Sequence, residues 1–146
     1  NIDLKVGREN IKLQQIAVST ICHKDFCTLK PDFTIEKSIN LMVKLKKSEG
    51  YLIDGDEKLL NKFELHQLIS EKNKNKKISK LHQFKFLKLY SESNIFESIE
   101  KSKDFVGESI PIVTKQNKMF GIISEGDLFQ IFLKVTREEK ELENKD

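Results

Sequence analysis

A chain of 146 residues, 38% hydrophobic and 34% charged, describes a soluble globular protein, either one domain or two small units sharing a core. It has no apolar run approaching the roughly 18 residues that a membrane helix requires. Its net charge is only +3 and its lysines are scattered, which excludes the electrostatic footprint of a nucleic-acid-binding protein; ten Phe against two Tyr and no Trp favour core packing over base stacking.

The chain opens at Asn1 rather than Met and carries no secretory signal, so a piece of a longer protein is expected. Residues 1–15 hold Gly7, Arg8 and Glu9 with few periodic apolar positions, and read as a lead-in. From Ile16 the pattern becomes regular. Val18, Ile21, Phe26 and Leu29 precede Lys30-Pro31-Asp32, where the proline stops any helix. Cys22, His23 and Cys27 supply three soft ligands, one short of a closed zinc site, so this segment reads as a strand with Cys27 buried beside Phe26. Only two cysteines fit a reducing compartment.

Thr34 then offers an N-cap, and Ile35, Ile39, Met42 and Val43 share one face of a helix to about Lys46. Tyr51 to Ile53 is a short buried strand, Asp54 to Glu57 a turn, and Leu59 to Phe63 the hairpin partner. A helix follows from Glu64 to Ile69, and residues 72–77, rich in lysine and asparagine, form a solvated connector.

The pattern then starts again. Subtracting 60 places Ile78 on Val18, Leu81 on Ile21, Phe86 on Phe26 and Leu89 on Leu29; Asn94 replaces Thr34 as a cap, and Leu128-Phe129 falls on Leu68-Ile69. Such self-similarity predicts two copies of one strand–helix–strand–strand–helix unit, residues 16–71 and 78–136. A unit of this size is marginal alone, so the two copies must bury their faces against each other. The fold class expected is α+β, two tandem βαββα repeats related by a pseudo-two-fold. The last helix starts near Gly126 and runs past Val135, and residues 137–146 read as a charged tail that frays.

Gly107 and Pro111 before the second hairpin, and the run from Gly121 through Ser124 and Asp127 to Leu128 after it, give the second unit a motif that resembles the CBS domain. With the internal repeat, residues 16–134 resemble a tandem CBS pair, or Bateman module. The lead-in, Ile2 to Glu9 with Leu13 and Ile16 to Val18, is similar to the join between the membrane domain and the CBS pair of ClC chloride channels and transporters. That resemblance implies a cytosolic tail at the inner face of the cell membrane, a homodimer, and the membrane transport domain of the same chain as partner; the alternatives are a dimerising tail that binds no ligand, and the CBS pair of another transporter or of a metabolic enzyme.

The CBS resemblance also implies an adenine-nucleotide slot between the repeats, for AMP, ADP or ATP, with no cofactor required. Asp127 would take the ribose hydroxyls and Ser124 would line the phosphate side. The adenine would lie against backbone, that of the strand around Phe26, Cys27 and Thr28 and of the segment Gly50-Tyr51. A carboxylate accepts two hydroxyl protons and a helix N-terminus favours phosphate, so the assignment is physically sound. Ser124 and Asp127 are equally a helix cap with an acidic third residue, a variant of the capping box that needs no ligand. In the first repeat Asn61, Glu64 and Gln67 replace Gly121, Ser124 and Asp127, and Tyr51 replaces Pro111, so one site at most is expected. Gly126 beside Asp127 adds no charge for a triphosphate, which favours AMP or ADP. His23, His66 and His82 sit in no nucleophile or metal motif, and no phosphate-cleaving loop is present, so a sensor rather than an enzyme is expected.

Overall fold

The computed structural model describes residues 7–144. Residues 1–6 of the lead-in and the last two of the tail lie outside the described residues. The elements run α1 (Arg8–Gln14), β1 (Cys27–Leu29), α2 (Ile35–Leu45), β2 (Glu49–Ile53), β3 (Leu59–Glu64), α3 (Leu65–Ile69), β4 (Leu89–Tyr90), α4 (Ile95–Lys101), β5 (Ile110–Val113), β6 (Met119–Ile123) and α5 (Glu125–Asn144). They form an α+β fold with two three-stranded sheets, ordered β1-β2-β3 and β4-β5-β6. In each, the first pair is parallel, joined by a helix, and the second is an antiparallel hairpin.

The 60-residue repeat extends to details of the backbone. Thr34 Oγ1 accepts the Lys37 N–H at 3.1 Å, and Asn94 Oδ1 accepts the Glu97 N–H at 2.8 Å, so both expected caps form. The hairpins shift register at the same place, between Leu52 and Ile53 and between Ile112 and Val113. Glu57 and Asn117, 60 apart, both adopt left-handed turn conformations, φ 65° and 64°.

The pseudo-two-fold axis passes between Lys58 and Lys118, which pair with each other across the repeats. Around them Leu59 N–H donates to Asn117 O at 3.0 Å and Met119 N–H to Glu57 O at 2.9 Å. The segment before each repeat is exchanged. Val18 N–H donates to Ser93 O at 2.8 Å and Ile95 N–H to Ile16 O at 2.9 Å; their counterparts Ile78 and Ile35 donate to Phe33 O at 3.0 Å and Lys76 O at 2.9 Å. Val18 is therefore buried with Leu89, Ile95 and Ile112 in the second core, and Ile78 with Leu29, Ile35 and Phe63 in the first. A third cluster of Tyr51, Leu59 and Val113 joins them. Each fully buried aliphatic contributes about 1.5–3 kcal/mol, and the exchange makes neither repeat complete without the other.

Two expectations change. The lead-in contains α1, whose Leu13 is fully buried in the second core with Val135 of α5. The tail does not fray at Arg137: α5 continues to Asn144. Lys12 lies 3.4 Å from Glu138 and 3.9 Å from Glu139 across the two helices. A seven-residue helix is too short to form alone or to show periodicity. Each of these two segments is ordered by the other.

Candidate functional site

Antiparallel pairing of His23 with Ile122, at 2.8 and 2.9 Å, brings the lead to β1 against β6 and leaves a cleft of about 410 Å³ between the repeats. Phe26, Cys27 and Tyr51 line it from the first repeat, Ser124 and Asp127 from the second. Gly121 permits this approach. A Cβ there would stand 2.7 Å from the His23 carbonyl oxygen and 2.9 Å from Cys22 Sγ, closer than any real contact.

Ser124 caps α5. Its Oγ accepts the Asp127 N–H at 3.0 Å while Asp127 Oδ2 accepts the Ser124 N–H at 2.9 Å, a reciprocal capping box. His23 Nε2 lies 3.1 Å from the same Oδ2. Partial burial would raise the Asp127 carboxyl, but the Ser124 amide and the His23 imidazole outweigh it and hold the group below its ordinary value. The acid is thus ionised and oriented at the cleft wall, as a hydroxyl acceptor must be.

The opposite wall rests on a buried ion pair. Glu49, at the start of β2, and Lys62, in β3, are each under 10% exposed, 3.2 Å apart. Glu49 Oε1 accepts the Ser109 N–H at 2.8 Å and the Ser109 hydroxyl at 2.6 Å, and its Oε2 accepts the Glu108 N–H at 3.2 Å. Lys62 donates to Ser109 O at 2.6 Å, and the Tyr51 hydroxyl shares a 2.5 Å bond with Ser109 Oγ. Burial alone would raise the Glu49 carboxyl; the Ser109 hydroxyl and Lys62 reverse this and hold it low, whereas burial pushes the Tyr51 phenol up. The loop that meets Glu49 turns at Gly107, φ 143°, where a Cβ would stand 2.9 Å from the Phe105 ring. This gives the glycine and proline of the second-repeat motif a role: Gly107 aims two amides at Glu49, and Pro111 enters β5.

The equivalent cleft of the first repeat, about 400 Å³, is different. Asn61 stands where Gly121 stands, and its side chain replaces the backbone pairing. Its Nδ2 donates to His82 O at 3.0 Å, and its Oδ1 accepts the Phe84 N–H at 3.1 Å. Glu64 and Gln67 close a capping box of their own, Glu64 N–H to Gln67 Oε1 at 2.7 Å. His66, mostly exposed, lies 3.3 Å from Glu64.

Of the residues assigned to one slot, the structure brings together Phe26, Cys27, Tyr51, Ser124 and Asp127. Thr28 lines a neighbouring cleft with Pro31 and Met119 instead. Gly50 faces α2, where a Cβ would stand 2.8 Å from Leu29 Cδ1 and 3.2 Å from Met42 Sδ. His23, Glu49, Ser109 and Lys47 also line the cleft, none of them marked as a nucleotide-site residue by the sequence motif. A charged residue within each of two buried strands, Glu49 in β2 and Lys62 in β3, was the available signal. Burial raises both thiols, Cys22 and Cys27, so neither is an activated nucleophile. Among the described residues no cluster of three His, Cys, Asp or Glu could hold a metal, and no helix is long and apolar enough to cross a membrane.

No family model matches the sequence, and no curated protein matches it. Solved structures do match in fold. A CBS domain pair/ACT domain protein from Thermotoga maritima, 13% identical, superposes with a TM-score of 0.70 over 82% of this chain and 98% of its own. The cytosolic domain of the Mg2+ channel MgtE in complex with ATP, 12% identical, gives 0.71 over 84% of this chain and 51% of its own. CBSX2 in complex with AMP, 18% identical, gives 0.66 over 83% and 98%. The chain has the fold of a tandem CBS-domain pair.

Proposed function

We propose that this CBS pair is the regulatory tail of a membrane transporter and binds an adenine nucleotide in the cleft between the repeats. The convergence of an ionised, oriented Asp127 with Ser124 at the start of α5, facing Phe26 and Tyr51 across the cleft, carries the reading. It is supported by the two solved structures of the same fold described as complexes with ATP and with AMP. Asp127 accepts the ribose hydroxyls, the cleft wall stacks the base, and binding that differs between arrangements of the repeats biases the parent protein. The module senses its ligand and does not transform it. It acts as a homodimer on the cytoplasmic side of the membrane. The lead-in motif points to a ClC-type parent, and the magnesium channel's cytosolic domain makes another transporter the alternative.

One observation favours a second reading, a structural tail that dimerises and binds nothing: Asp127 Oδ2 already holds the Ser124 amide and the His23 imidazole. Ligand-dependent stability separates the two. At about 100 times its dissociation constant AMP adds about 2.7 kcal/mol to the unfolding free energy. Asp127→Ala abolishes that increment beyond its own capping loss of about 1 kcal/mol. No increment with AMP, ADP or ATP at millimolar concentration leaves the structural reading.

A further inference from the structure

The charge around the nucleotide cleft is one-sided. Asp25, Glu49, Glu108 and Asp127 line it against one ammonium, that of Lys47, and the imidazole of His23, which already faces Asp127 at 3.1 Å. Lys62 neutralises Glu49 from behind. Lys47 is already engaged: its Nζ lies 3.0 Å from Asp25 Oδ2 and donates to the Asp25 carbonyl at 3.1 Å. Glu108 Oε2 takes a neutral donor, the Ser48 hydroxyl, at 2.5 Å. The N-terminus of α5, which would otherwise favour phosphate, carries Glu125 and Asp127 in its first turn. The equivalent cleft sets two lysines, Lys62 and Lys85, against two carboxylates.

We propose that the first cleft selects against phosphate charge: it takes adenosine or its monophosphate and rejects the triphosphate, with Asp25 withholding the Lys47 ammonium from the ligand. The proposal rests on the nucleotide reading of the cleft. Each added phosphate enters the field of Glu108 and Asp127, and among the described residues lining the cleft no free lysine meets it. With surface-like screening this amounts to about tenfold between AMP and ATP, or about 1.4 kcal/mol.

Calorimetric titration of the chain with adenosine, AMP and ATP, without divalent cations, tests it. AMP binds about tenfold more tightly than ATP, adenosine binds at least as tightly as AMP, and Asp25→Asn narrows the AMP-to-ATP ratio to about threefold or less. The Asp25 side chain is 88% exposed, so this variant folds. Glu108→Gln narrows the ratio in the same direction. ATP binding as tightly as AMP, or a ratio that neither variant moves, overturns the charge selection while leaving the nucleotide reading in place. Failure of all three ligands to bind overturns the nucleotide reading, and this proposal with it.

Discussion

Lys62→Met strands a carboxylate. Glu49 is only 6% exposed in its side chain, and the substitution removes the sole ammonium within reach among the described residues. Breaking a buried pair from one side costs about 3–5 kcal/mol. Here three donors remain on Glu49, the Ser109 amide and hydroxyl and the Glu108 amide, so the loss falls at the lower end, about 3 kcal/mol. Adding Glu49→Gln removes the stranded charge while its amide oxygen keeps the Ser109 bonds. The double variant therefore recovers at least about 2 kcal/mol relative to the sum of the single changes. Urea denaturation of the four proteins gives the cycle. A loss below about 1 kcal/mol for Lys62→Met, or additive single changes, refutes the claim that this pair anchors the 107–109 wall of the cleft.

Two further outcomes follow from the same geometry. Gly121→Ala forces a Cβ onto the His23 carbonyl, opens the His23–Ile122 pairing and costs about 1–3 kcal/mol; amide exchange at His23, whose N–H bonds Ile122 O at 2.8 Å in the parent, becomes faster than in the parent. Acid lability comes from Asp127 and Glu49, whose ordinary values are 3.8 and 4.5 and whose folded values are lower. The unfolded chain binds more protons in that range, so their stabilisation is complete above about 4.5 and is lost as pH falls through the folded values. A urea midpoint that stays flat from neutral to strongly acidic pH contradicts this, and Asp127→Asn and Glu49→Gln each flatten the acid limb.

The repeat made most of the fold legible. A 60-residue offset that carries Thr34 onto Asn94 also carries bulge onto bulge and one left-handed turn residue onto the other, because backbone geometry repeats where turn chemistry repeats. The exchange of Val18 and Ile78 between cores was hidden, since periodicity reports that a residue is buried but not against what. In the site, Ser124 and Asp127 were readable because a capping box has a local signature. Thr28 and Gly50 came with the resemblance, as backbone beside the adenine; because alternate strand positions face opposite ways, the Thr28 side chain lines the neighbouring cleft and Gly50 faces α2. His23 and Ser109 reach the cleft through tertiary pairing, with no local pattern to announce them, and Glu49 offered only the oddity of a charge in a buried strand.

The most direct test of the central claim is a map of amide chemical shifts in the isotope-labelled chain as AMP is added. The account predicts movement concentrated at Cys27, Tyr51, Ser109, Ser124 and Asp127, with Glu64, Gln67 and Phe84 of the other cleft unmoved. Shifts confined to the Glu64–Gln67 cleft, or none at saturating AMP, would contradict it.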